Sequence, residues 1–173
     1  MSFAVWLTGL SGSGKSAIAR ELAARLHARG LEPARLESDA MRTQLTPHPR
    51  YDASDRDFFY GTLARLAALV VQAGRPALVD ATANRRAYRD RARAAIARFA
   101  EVFVDTPLEV CEARDTKGLY RKAREGGDLN LPGVRAPYEP PAAPEVVVRG
   151  DRGTPAEDAA LIEAWLEARG WLG

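Results

Sequence analysis

The run Gly9-Leu10-Ser11-Gly12-Ser13-Gly14-Lys15-Ser16 constrains this chain more than any other stretch. It fits the phosphate-binding pattern G-x-x-x-x-G-K-[ST] at every fixed position. The apolar residues Phe3 to Leu7 precede it and are enough for one buried strand; Ala17 to Leu22 come after it and read as a helix. Strand, glycine-rich loop and helix, in that order, are the context the pattern requires. Glycine lets backbone N–H groups turn inward without a Cβ clash, and those groups together with the helix N-terminus form a site for phosphate oxygens. Gly9, Ser11, Gly12, Ser13, Gly14, Lys15, Ser16 and Ala17 are therefore the residues expected to bind a nucleoside triphosphate. Lys15 is expected on the β- and γ-phosphates, and the Ser16 hydroxyl on Mg²⁺.

The rest of the chain is read around this loop. Its 173 residues suit one domain, and 46% hydrophobic with 28% charged residues suits a globular protein with a core. A net charge of +2 makes no case for nucleic acid. Cys111 is the only cysteine, so no internal disulfide forms. No run is apolar enough to span a membrane and no signal-peptide pattern opens the chain, which leads us to expect a cytoplasmic protein. Of the basic residues only Lys15, Lys117 and Lys122 are lysines.

Periodicity predicts a helix from Lys15 to Ala28 with Ile18, Leu22 and Leu26 inward, and a short strand ending in Glu37-Ser38-Asp39. Ligands of open α/β sheets bind beyond the C-terminal strand ends. Asp39 and Arg42 thus stand where a substrate could sit, although Asp39 could equally cap a short helix starting at Ala40. Pro47, His48 and Pro49 mark a loop. A long helix is predicted over 52–71 and a strand over 77–80. Asp80 ends that strand, either as a residue that organises Mg²⁺ or as a cap for the adjoining segment. A helix over 85–98 carries six arginines (85, 86, 89, 91, 93 and 98), read as a solvated face. A fourth strand is predicted over 101–105, and a short helix over 108–114 with Cys111 as a packed apolar residue. The stretch 116–144 is basic at first and then rich in proline, and reads as a mobile cover over the site. A last strand over 145–148 and a helix over 156–168 complete the chain. Five strands alternating with helices predict an α/β fold of the P-loop NTPase type: a five-stranded parallel sheet with helices on both faces and a lid at about 115–144, in one domain over 1–173.

A GTPase would need a guanine-selecting Asn-Lys-x-Asp run, which is absent. A phosphate loop, a facing pocket and a cationic cover fit a small-substrate kinase, in which positioning and charge carry the catalysis.

Beyond the loop, the sequence resembles the adenylylsulfate kinase family, from Val5 to about Glu145. The similarity is most specific at Val102-Phe103-Val104-Asp105-Thr106-Pro107-Leu108-Glu109-Val110-Cys111-Glu112, at Arg114-Asp115 with Lys117-Gly118-Leu119-Tyr120, and at Pro137-Tyr138-Glu139 with Pro141. The resemblance implies ATP-dependent, Mg²⁺-assisted phosphorylation of the 3′-hydroxyl of adenosine 5′-phosphosulfate, a small nucleotide substrate, with neither nucleic acid nor membrane as partner and with a homodimer as the expected assembly. It implies that Arg114 flanks the ATP adenine and that Lys117 stabilises the transferring phosphoryl group. It makes Asp39 the base or hydroxyl-orienting residue, puts Arg42 and Arg56 on the phosphosulfate, and puts Tyr51 on the acceptor adenine, with Leu131 at the second stacking position. Some positions depart from the family. Glu37-Ser38-Asp39 replaces Asp-Gly-Asp, and Phe59, Gly61 and Thr62 stand where an asparagine and arginines are expected. Leu131 replaces a phenylalanine, and Thr82-Ala83-Asn84 replaces Ile-Ser-Pro. The alternative reading is a P-loop kinase with a different nucleotide-like or small hydroxyl acceptor.

Overall fold

In the computed structural model, residues 2–46, 48–127 and 130–173 are described; Pro47 and the cover positions 128 and 129 lie outside them. The elements run in the order β1 (Ala4–Thr8), α1 (Lys15–Ala28), β2 (Ala34–Glu37), α2 (Ser38–Leu45), α3 (Ala53–Gln72), β3 (Ala77–Asp80), α4 (Arg86–Ala95), β4 (Phe99–Val104), α5 (Leu108–Arg114), α6 (Leu119–Arg124), β5 (Val146–Val148) and α7 (Pro155–Ala168). The sheet order is β2-β3-β1-β4-β5 and every pairing is parallel, as the alternation of strands and helices predicts.

The apolar run before the phosphate loop occupies the centre of this sheet, and all five residues of β1 are buried. Side chains alternate across a strand, so β1 feeds two cores. Ala4 and Trp6 join Phe59, Leu63, Ala67 and Tyr88 of α3 and α4 on one face. Val5 and Leu7 join Ile18, Leu22, Ile162 and Leu166 of α1 and α7 on the other. The register sets Leu7 beside Asp80 and Asp80 beside Glu37. Three strands therefore end at one level, and the loops after them open on the same edge of the sheet. Because β1 is flanked by β3 on one side and β4 on the other, its loop emerges at the crevice where the strand order reverses.

Two expectations are corrected. The helix expected over 85–98 ends at Ala95, and Phe99 already belongs to β4; Ile96 turns inward at 4% exposure and leads the chain into the sheet. Nor are all six arginines solvated: Arg89 is 1% exposed. A buried guanidinium requires partners for its donors, and Arg89 has them. Its Nε donates to Glu101 Oε1 at 2.6 Å, Nη1 to the Ala83 carbonyl at 2.6 Å, and Nη2 to the Glu139 carbonyl at 2.7 Å. It rivets α4 to β4, to the loop after β3 and to the end of the cover.

The cover itself is divided. In its first half, Tyr120, Ala123 and Leu131 pack with Cys111 in a small apolar cluster of their own, and the Tyr120 hydroxyl donates to the Ser11 carbonyl of the phosphate loop at 2.7 Å. Its last part is bound to the sheet. Asn84 Nδ2 donates to the Pro137 carbonyl and the Glu139 amide to the Asn84 carbonyl, both at 2.8 Å, while the Tyr138 ring stacks near Phe103.

Candidate active site

The phosphate loop works through its backbone, and two glycines show why no other residue fits. A Cβ on Gly9 (φ +155°) would stand 2.6 Å from the Val104 carbonyl, and one on Gly150 would stand 2.0 Å from the Ser13 carbonyl. The loop is thus wedged between β4 and the turn after β5. Arg114 clamps the same contact from outside, donating to the Gly12 carbonyl at 3.2 Å and to the Gly150 carbonyl at 2.6 Å.

The N-termini of α1 and α7 are finished differently. At α7, Thr154 and Glu157 form a capping box that satisfies first-turn donors, and Glu157 and Asp158 bring negative charge. At α1, Gly14 is the N-cap, no side chain caps it and no acid lies in the first turn. The donors and positive dipole end that α7 satisfies internally are left at α1 for an anion.

One cavity of about 620 Å³ adjoins this terminus. It is lined by Ser11, Gly12, Gly14, Lys15, Ser16, Ala17, Asp39, Arg42, Tyr51, Arg56, Asp80, Arg114, Lys117 and Leu131. Of the residues singled out in the sequence, only Gly9 and Ser13 stand behind this wall, as the loop's support. Sequence reasoning missed other lining residues: Arg20, Tyr60, Thr116 and Asn130. Arg20 lies one helical turn after Ser16 and Tyr60 one turn after Arg56, so i,i+4 spacing was the available signal. Nothing local marks Thr116 or Asn130, which the cover carries in from elsewhere.

Lys15 is 8% exposed. Its ammonium donates to the Gly9 carbonyl at 3.0 Å and the Leu10 carbonyl at 2.7 Å. Burial pushes its pKa below the usual lysine value, and the nearby Asp80 charge opposes that shift. Across the cavity, Lys117, between α5 and α6, pairs with Asp39 in the first turn of α2. This contact joins the cover to the edge of the sheet opposite the phosphate loop. Asp39 makes no cap hydrogen bond there, and the N-cap of α2 is Glu37.

Arg42 pairs with Asp55 at 2.8 Å and lies over the rings of Phe59, at 3.9 Å from the centroid, and Tyr51, at 4.9 Å. Phe59 is fully buried; it is a platform beneath Arg42, not an altered contact to the acceptor. Arg56 donates to the Asn130 carbonyl, which ties α3 to the cover.

Asp80 and Ser16, the residues expected to hold magnesium, both line this cavity. Asp80 is 4% exposed, and its Oδ2 is buried with no hydrogen-bond partner among the described residues. A buried carboxylate oxygen without a partner is costly unless a cation or water completes it. No group of three or more metal-ligating side chains occurs among the described residues.

A glycine-rich loop at the centre of a parallel sheet, facing a cavity whose far wall bears arginines and an acid, defines a P-loop kinase of a small acceptor. A family model described as adenylylsulphate kinase matches residues 1–149. The adenylyl-sulfate kinase of Halothermothrix orenii is 40% identical over 168 residues, 97% of this chain and 91% of that one. That of Rippkaea orientalis is 42% identical over 168 residues, 97% and 93% of the two chains. The APS kinase of Mycobacterium tuberculosis, solved in complex with AMPPNP and APS, superposes with a TM-score of 0.91 at 36% identity, covering 96% of this chain and 98% of that one. The chain belongs to the adenylylsulfate kinase family.

Proposed function

We propose that this enzyme transfers the γ-phosphoryl group of ATP to the 3′-hydroxyl of adenosine 5′-phosphosulfate. The observation that carries this reading is the cavity in which the open N-terminus of α1 faces the Lys117–Asp39 pair, with Arg42, Arg56 and Tyr51 beyond it. Membership of the family, and a relative solved with an ATP analogue and APS, support it.

The roles are those that the family resemblance implies. The loop amides bind the phosphates, and the Lys15 ammonium exchanges the Gly9 and Leu10 carbonyls for β- and γ-oxygens. Ser16 and Asp80 would hold Mg²⁺, which when bound would neutralise phosphate charge. The acceptor lies against Tyr51, Arg42 and Arg56, with Leu131 on the cover side. The Asp39 carboxylate takes the proton of the attacking 3′-hydroxyl, and Lys117 neutralises charge on the transferring group. Closure of the cover keeps water from taking the phosphoryl group in place of the acceptor.

A steady-state assay with ATP, Mg²⁺ and adenylyl sulfate tests this reading. We expect turnover with wild type and, for Lys117→Ala, a loss of about 10²–10³ in kcat, typical of removing one preorganised charge, with ATP affinity little changed. Absence of turnover in the wild type would overturn the assignment.

A further inference from the structure

Tyr60 belongs to none of the blocks that mark the family resemblance, yet it lines the cavity. It stands one turn of α3 after Arg56, so the two side chains share a helix face. Its residue exposure is 6%. The ring stacks on Tyr88 with centroids 4.9 Å apart and meets Phe59 edge-on at 5.3 Å. These neighbours hold the ring in one orientation, 5.9 Å from the Arg42 guanidinium, in the wall of the cavity that Arg42 and Arg56 also line.

The two arginines differ in what balances them. Arg42 has Asp55. Among the described residues no carboxylate pairs with Arg56, whose Nη2 reaches only the Asn130 carbonyl. A largely buried cation that no carboxylate among the described residues pairs with, beside a phenol, makes a site for an oxyanion. Burial pushes the Tyr60 pKa above the usual phenol value, so the hydroxyl keeps a proton to donate. Phe59 cannot contribute a polar contact, because it is fully buried with its face under Arg42. The polar group of this helix turn is the next residue along.

We infer that the Tyr60 hydroxyl donates a hydrogen bond to the anionic tail of the acceptor beside Arg56, making Tyr60 an acceptor-binding residue that favours substrates with an oxyanion at that point. The inference rests on adenosine 5′-phosphosulfate being the acceptor.

Tyr60→Phe removes the hydroxyl and retains the ring that packs on Tyr88. We expect the KM for adenylyl sulfate to rise about tenfold or more, the scale of a lost hydrogen bond to a charged group, while kcat and the KM for ATP stay within about threefold. If the variant has a lower thermal midpoint, the same constants measured well below it still decide. An acceptor KM near that of wild type, or equal losses for acceptor and ATP, would overturn the role of Tyr60. A wild type inactive on adenylyl sulfate would instead remove the functional reading on which it rests.

Discussion

The proposed donor side of the cavity comes from one unbroken run, residues 9–17, and presents backbone N–H groups at an uncapped helix end. The proposed acceptor side is gathered from four places that line the cavity: Asp39 and Arg42 on α2, Tyr51 before α3, Arg56 and Tyr60 on α3, and Leu131 on the cover. A backbone site depends on local conformation, so its motif survives in almost any surroundings. A side-chain site depends on how distant elements pack, so a single substitution there has no meaning until the neighbours are known. Phe59 illustrates this. In sequence it suggested a changed acceptor; in the fold it supports Arg42 from below.

If the two halves act as separate binding sites, their variants should separate kinetically. The largest effect is expected for Lys15→Ala, with kcat/KM reduced by about 10³-fold or more, since Lys15 serves phosphate binding and charge stabilisation together. Its affinity for adenylyl sulfate in the absence of ATP should be nearly unchanged in calorimetry. A large loss of acceptor affinity would break the division between halves. Tyr51→Ala comes next. Loss of a base-stacking surface corresponds to about 1–3 kcal/mol, so the acceptor KM should rise roughly 5- to 100-fold with the ATP KM unaltered. An unchanged acceptor KM would remove Tyr51 from that side.

The smallest effect concerns α7, the helix that follows the turn packed behind the donor loop. Asp158, 6% exposed at the start of α7, has a pKa pushed up to about 6 by burial and, secondarily, by Glu157 and Asp151. A carboxyl raised in the fold favours the protonated form. Its contribution is fully present below the ordinary value of 3.8 and is lost as pH rises through about 6. Asp158→Asn should therefore raise the thermal midpoint near neutral pH by about 2–4 °C, the scale of roughly 1 kcal/mol in a domain of this size. The gain should vanish below the ordinary carboxyl range. The favourable interaction of a first-turn acid with the helix dipole works the other way, so a lowered midpoint at neutral pH would show that the dipole outweighs burial.

Much of the fold was legible because the strands are short apolar runs, each ending at a breaker or a polar residue. The helix ending at Ala95 was overextended because Phe99 continues its apolar spacing, and only pairing with β1 shows that this residue is already strand. Arg89 was placed on a solvated face because charge runs usually are; nothing near it in sequence announces Glu101 and the Glu139 carbonyl as partners. Tyr60 was passed over because a tyrosine on an apolar helix face reads as core. It is core, and it also lines the cavity beside Arg42 and Arg56.

By itself the sequence determined the phosphate loop with its flanking strand and helix, the alternation that makes the sheet parallel, and the blocks that place the chain in its family. These are contiguous patterns whose physics is local: glycine conformations, helical period and strand hydrophobicity. Only the tertiary structure decided the strand order, the burial of Arg89, the pairing of Lys117 with Asp39, and which face of α3 lines the cavity. Each of these depends on residues dozens of positions apart being brought within a few ångströms, where burial makes an unpaired charge or polar group costly and so selects its partner.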